Sequence, residues 1–200
     1  NTTTGVAATV ATDKAGRYRV EDLEPGHYSV SFELTGFARS ALPDVAVLLG
    51  KTLQVDHTVK IGSVNEAVMV VAGPRPLIDV RHALVAHNVT QEEFDLLPKT
   101  RSFQSVALTA PSVNTGAIEG SWQVNGASSA ENTFTIDGVT TSSLYNGRSR
   151  QDAAFEYVQE VQVKTSGLSA EYGGALGGVI SAVTKSGGNE FRGSVFYYYS

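Results

Sequence analysis

"VQEVQVKTSGLSAEYGGALGGVISAVTKSGG" occupies residues 158–188. Two apolar runs, 161–164 and 178–185, read as strands, with "DAAFEYVQEVQVKTSG" as one or two turns of helix running into the first. Between the first and the start of the second lie Gly167, Gly173, Gly174 and Gly177, with Gly178 opening the second. Such a loop can cradle a phosphate, link two domains, or let the backbone turn sharply in a crowded interior. A phosphate cradle needs a lysine at a set position and a helix afterwards; here no lysine is so placed and a strand follows. A flexible linker would not run into "GVISAVTK", which is ordered and apolar. The remaining reading is a backbone that turns in a tight space and then feeds a strand.

The rest of the chain agrees with a β-rich protein. It has 200 residues, 42% hydrophobic and 18% charged, enough for one or two domains with cores of their own. Glycine, Thr, Ser and Val recur, and long helical runs of Leu, Glu and Lys are missing. The net charge of −5 and the lack of a Lys/Arg cluster point away from nucleic acid. With no cysteine, disulfides, zinc–thiolate sites and thiol nucleophiles are excluded. No apolar run approaches the roughly 20 residues of a membrane-spanning helix. "NTTTGVAATVATD" opens as if inside a strand and "FRGSVFYYYS" stops inside another, so the chain reads as a fragment.

Residues 1–61 carry short strands between turn signals, the pattern of a β-sandwich. Turns are expected at Asp13–Gly16 and at Pro25–Gly26. Tyr28, Val30, Phe32 and Leu34 share one face of a strand; Leu53, Val55, His57, Val59 and Ile61 share one face of another. His57 in that row is expected to be a half-buried histidine at a sheet margin. Residues 62–76 form a connector ended by Gly73, Pro74 and Pro76. Residues 77–187 mix short helices and strands. Thr90 and Glu93 make a capping box, a second helix runs from Ser102 to before Pro111, and strands turn at Asn125–Gly126 and Asp137–Gly138.

Catalytic templates fail in turn. Gly50-Lys51-Thr52 ends like a phosphate-binding loop, but Val45 stands where the first glycine is required. His82 and His87 are five apart, which does not place both on one helix face for a metal. "GLSAE" has Glu171 where a nucleophile elbow needs glycine. Asp152, Glu156 and Glu160, spaced by four, read as a solvated acidic stripe on a helix. Asp137 reads as a turn-shaping carboxylate. No cofactor, metal or catalytic residue is expected.

"FRGSVFYYYS" alternates and is aromatic-rich, as outer-membrane strands are. Taken with "NGASSAENTFTIDGV" and the opening stretch, it resembles the plug domain of a TonB-dependent outer-membrane receptor entering its first barrel strand. "TDKAGRYRVEDLEPGHYSVSFELTGF" resembles the carboxypeptidase-regulatory-like, transthyretin-like sandwich that precedes the plug in the Oar-like branch. The resemblance implies a mostly β fold with some α. An incomplete sandwich spans 1–61, a linker 62–76, an α+β plug 77–187 and the first barrel strand 188–200.

It also implies a function: a plug that gates uptake of a substrate across a Gram-negative outer membrane, without catalysis, with the N-terminal domain in the periplasm. Partners would be TonB, the receptor's own barrel, outer-membrane lipid and the transported substrate. TonB would add a strand to a short box, and Asn65, Glu66, Ala67, Val68, Met69, Val70 and Val71 resemble such a box. Gly173, Gly174, Gly177 and Gly178 would let the backbone pass close to its neighbours, beside Tyr172, Asp137 and Gly138; Gly187 and Gly188 would hinge the plug to the wall. Two other readings stand beside this one: a secreted sandwich that binds carbohydrate or protein, and an accessory domain of a metallocarboxypeptidase.

Overall fold

The computed structural model describes residues 1–62, 68–69, 84–97, 102–116, 122–143, 145–146, 149, 154–188, 191, 193, 195 and 197. Strand outweighs helix, 34% to 12%, as the glycine-, Thr- and Val-rich composition implies. Among the described residues no helix is long and apolar enough to cross a membrane. The chain divides into two compact units, Asn1–Val47 with Asp56–Gly73 and Ser186–Ser200, and Leu48–Val55 with Pro74–Lys185.

In the first unit, β1 (Gly26–Phe32) pairs antiparallel with β2 (Ser40–Val47), and β2 pairs parallel with the two-residue β3 (Val68–Met69). Tyr28, Val30 and Phe32 are half-buried while His27, Ser29 and Ser31 are exposed, as alternation requires. Leu34 departs from the row because the strand stops at Phe32; it is exposed. The turn at Asp13–Gly16 forms, with Gly16 N–H donating to Asp13 O at 2.9 Å and Gly16 at φ +76°. Residues 53–60 alternate half-buried and exposed but belong to no strand; at their end Ala38 N–H donates to Lys60 O at 2.9 Å and Phe37 bridges Ile61. Without a continuous ladder the expected strand does not form there. His57 does sit at the margin, stacked on Phe32 at 4.6 Å and 2.8 Å from Ser40 Oγ. The described residues 1–25 hold no strand.

The second unit is built on a five-stranded sheet. Its strands are β4 (Val85–Thr90), β7 (Thr133–Ile136), β8 (Val139–Thr140), β9 (Val158–Ser166) and β10 (Val179–Thr184), in the order β4-β9-β10-β7-β8. Only β10–β7 is parallel within it. A small hairpin, β5 (Val113–Thr115) with β6 (Trp122–Val124), stands apart. Helix α1 (Gln91–Leu96) starts at Thr90, whose N–H donates to Glu93 at 2.9 Å, closing the expected capping box. Helix α2 (Phe103–Val106) continues as a 3-10 turn to Thr109, tightening where Pro111 forbids another α turn.

One sheet face carries the core. Val161, Val163, Ile180, Ala182 and Phe134 pack with Phe94, Phe103 and Val106 from the helices. Each fully buried Phe or Val there contributes roughly 1.5–3 kcal/mol. β9 begins at Val158, three residues earlier than the sequence suggested, and a bulge lets Val158 and Glu160 oppose Thr184 and Val183. That extra residue puts Val158 on the core side with Val161 and Val163. Glu160, Gln162 and Lys164 therefore share the opposite face.

This overturns the acidic stripe. A short 3-10 turn, Phe155–Tyr157, replaces the helix, and Glu160 is 2% exposed on a strand. Asp152 lies outside the described residues. So do Asn65, Glu66, Ala67, Val70, Val71 and His82. Of the expected barrel strand at 188–200, the described Phe191, Val195 and Tyr197 are exposed and belong to no strand.

Candidate functional site

The glycine loop between β9 and β10 is tight at one end and open at the other. A Cβ on Gly178 would lie 2.7 Å from Val124 Cγ1 and 2.8 Å from Lys164 O; one on Gly177 would run into Asn132 Oδ1 and lie 2.9 Å from Ala127 Cβ. Both positions exclude any side chain, because their neighbours are backbone or buried atoms that cannot withdraw. Gly173 and Gly174 correct the expectation of close approach: a Cβ at either meets nothing within 4 Å. Gly174 serves the turn instead, at φ +83°. Gly187 is likewise open, and Gly188 lies near Thr3 O.

Asn132 holds the tight end, and sequence reasoning missed it. Its side chain is buried, with Oδ1 accepting from Gly178 N–H at 3.0 Å and Nδ2 donating to Trp122 O at 2.8 Å. Leu176 and Gly177 N–H groups donate to Glu131 O at 3.0 and 3.1 Å, and Thr133 N–H donates to Gly178 O at 2.9 Å. The loop thus enters β10 with its backbone groups satisfied by a 3-10 turn, Ser129–Glu131, and its cap.

Asp137 and Gly138 form the expected hairpin turn, both at positive φ (48° and 77°). Asp137 does more than shape that turn. Its carboxylate accepts from Thr184 N–H and Thr184 Oγ1–H, both at 2.8 Å, and its own N–H donates to Ala182 O at 2.9 Å. The β7–β8 tip is therefore fastened to the last residue of β10.

Tyr172, in the open part of the loop, meets Lys164. The Lys164 ammonium donates to the Tyr172 hydroxyl and lies 3.8 Å from the ring centroid. Burial pushes the Lys164 pKa down, with Glu171 opposing the shift, and burial followed by Glu171 pushes the Tyr172 pKa up. Glu171 in turn accepts from Ser169 Oγ–H at 2.6 Å. The arrangement is a loop clasp of one cation, one phenol and one carboxylate. Among the described residues, no three His, Asp or Glu side chains converge as a metal would need.

A family profile described as "TonB-dependent Receptor Plug Domain" matches residues 80–179, half of the chain. The chain belongs to the TonB-dependent receptor plug family. A second profile, "Carboxypeptidase regulatory-like domain", matches residues 1–60. A curated relative, the TonB-dependent transporter Oar of Myxococcus xanthus, is 37% identical over 199 residues, covering 94% of this chain. The chain spans only 18% of that relative's length. Among solved structures, the siderophore receptor PirA from Pseudomonas aeruginosa is 24% identical, with TM-score 0.41, over 50% of this chain and 18% of its own. The ferric enterobactin receptor PfeA from the same organism, as a Q482A mutant with enterobactin, is 23% identical. Its TM-score is 0.45, over 52% of this chain and 18% of its own. The plug match ends at Val179, so the Gly177–Gly178 step, the Asn132 cap and the entry to β10 all belong to the plug.

Proposed function

We propose that this chain is the N-terminal part of a Gram-negative outer-membrane receptor whose plug gates a β-barrel for uptake powered by the proton gradient through TonB. The plug profile over residues 80–179 carries this reading. The fastened exit of β10 supports it, since a domain that is pulled needs its final strand anchored. Residues 1–61 would be the periplasmic regulatory-like domain and 62–76 the connector. Residues 77–187 would be the plug. The next thirteen, 188–200, would be the first barrel strand, with Gly187 and Gly188 as the hinge. The family's members are receptors and transporters, and no catalytic step or cofactor is assigned to this chain.

TonB takes hold of residues 65–71 by strand addition. The described part of that segment, Val68–Met69, already pairs with a sheet edge as β3, so it can adopt the extended backbone that strand addition uses. Proline at Val68 or Val70 removes a backbone donor and fixes φ. In the full-length receptor either substitution should abolish energised uptake and leave substrate binding at the cell surface intact, while Val70→Ile should alter neither. Normal uptake by both proline variants would place the box elsewhere.

A further inference from the structure

On its polar face the plug sheet meets the chain's own segment Leu48–Val55, which belongs to the same compact unit, at Leu49 and Gly50. Leu49 is held at both of its backbone polar groups. Leu49 N–H donates to the Glu160 carboxylate at 3.1–3.2 Å. Leu49 O accepts from Asn88 Nδ2 at 3.1 Å and from Gln162 Nε2. Asn88 Nδ2 also donates to Glu160, and Gln162 Nε2 to Asn88 Oδ1 at 3.2 Å. Both polar groups of a single backbone residue are thus read by three side chains of two adjacent strands, β4 and β9.

The next residue is constrained as well. Gly50 has φ +62°, and a Cβ there would lie 2.8 Å from Gln162 Oε1 and 3.1 Å from Gln162 Nε2. Any side chain would meet the clamp at a backbone angle that already disfavours it. The site holds a turn residue followed by glycine.

Three features mark this as a fastening that opens. Glu160 is buried with no cation among its hydrogen-bond partners in the described residues, an expensive choice if the face were only to be packed, since apolar residues of similar size would cost less. Gln162 Oε1 is buried and has no hydrogen-bond partner among the described residues, so the clamp holds its occupant with one acceptor unused. The segment itself has no helix or strand; its turn is held by Lys51 N–H donating to Leu48 O at 3.2 Å. When a strap leaves an apolar floor, the floor is wetted at a cost; when it leaves Asn88, Glu160 and Gln162, water replaces the lost partners. Opening is therefore local and cheap beside unfolding of the sheet.

We propose that Asn88, Glu160 and Gln162 form a peptide-backbone clamp, that Leu49–Gly50 is its resident, and that residues 48–55 are a latch that opens without unfolding the plug. The clamp is tested without transport or TonB, so it stands or falls separately from the receptor reading.

The experiment is residue-resolved amide hydrogen exchange on the 200-residue chain, wild type beside Glu160→Met and Gly50→Ala. Glu160→Met removes the acceptor from the clamp side; Gly50→Ala disturbs the latch and leaves the sheet's sequence untouched. In the wild type, Leu49 should be protected roughly ten- to a hundredfold, as suits a hydrogen bond to a charged group. It should be protected far less than Val161 and Val163. Both variants should bring Leu49 close to unprotected exchange and leave Val161 and Val163 within about twofold of their wild-type rates. The proposal is overturned if Leu49 exchanges freely in the wild type or keeps its protection in both variants. It is equally overturned if Leu49 is as protected as Val161, or if Gly50→Ala lowers Val161 and Val163 along with Leu49, because the segment would then be an integral part of the sheet's fold.

Discussion

Gly178→Ala should destabilise the plug by about 1–3 kcal/mol, the usual cost of forcing extra volume into a packed interior. The added methyl would lie 2.7 Å from Val124 Cγ1 and 2.8 Å from Lys164 O. Val124 is fully buried between β5 and the core, and Lys164 O belongs to β9, so neither can retreat without moving a strand. Gly173→Ala is the matched control: nothing lies within 4 Å, its φ is not positive, and lower unfolded-state entropy should make it neutral or stabilising by about 0.4–1 kcal/mol. Trp122 is the only tryptophan in the chain and packs edge-on against Phe134 at 6.3 Å, so its fluorescence reports plug unfolding alone. At roughly 2 kcal/mol/M in urea, Gly178→Ala should lower the midpoint by about 0.5–1.5 M, and Gly173→Ala should leave it level or raise it slightly. Equal midpoints for the two variants would refute the claim that the second glycine pair is held by steric exclusion.

Further outcomes follow from the same geometry. Asn132→Leu should cost about 2–4 kcal/mol by the same fluorescence measurement, because Gly178 N–H and Trp122 O would both be buried without partners. Asp137→Ala should accelerate hydrogen exchange at Thr184 by about tenfold while Val161 is unaffected, since the lost acceptor serves the end of β10 only. Burial, with Glu93 as a nearby like charge, holds the Glu160 carboxyl above its ordinary range against the opposing hydrogen bonds from Asn88 and Leu49. A raised folded-state value means that its contribution to stability is complete below about pH 4.3, its ordinary value, and is lost as pH rises through the shifted one. Glu160→Gln should therefore gain stability relative to wild type between pH 4 and pH 7 in urea titrations followed by Trp122, and a constant difference across that range would show the carboxyl to be unperturbed.

Local chemistry was legible and nonlocal partnership was not. The Asp137–Gly138 turn, the Thr90–Glu93 capping box and the stop before Pro111 each depend on a few adjacent residues, and each formed where those residues placed it. The tight turn in the glycine loop was also legible, but which glycines were crowded depended on Val124 and Asn132, distant in sequence. Glu160 was misread because its spacing from Glu156 fits a helix; the strand starts at Val158, and a bulge then turns the carboxylate away from the core. The alternation of Glu160, Gln162 and Lys164 was the available signal for a polar sheet face. Gly50 and Lys51 drew notice as a failed phosphate loop, and nothing near them in sequence names Asn88 or Gln162 as partners.

The strand order has a consequence for how the plug is made. β10 is the last of this sheet's five strands in chain order and lies at its centre, joining β9 to β7. Until residues 179–184 have been synthesised, β4–β9 and β7–β8 are separate edges with nothing between them, and neither can complete the core around Ile180 and Ala182. The sheet closes like a zip whose slider arrives last. Folding must wait for nearly the whole domain and then proceed through long-range contacts, which slows it and leaves the unfinished chain with its apolar surface exposed. A ribosome-stalled chain ending at residue 178 should be cut freely by protease, and one carrying β10 clear of the exit tunnel should resist.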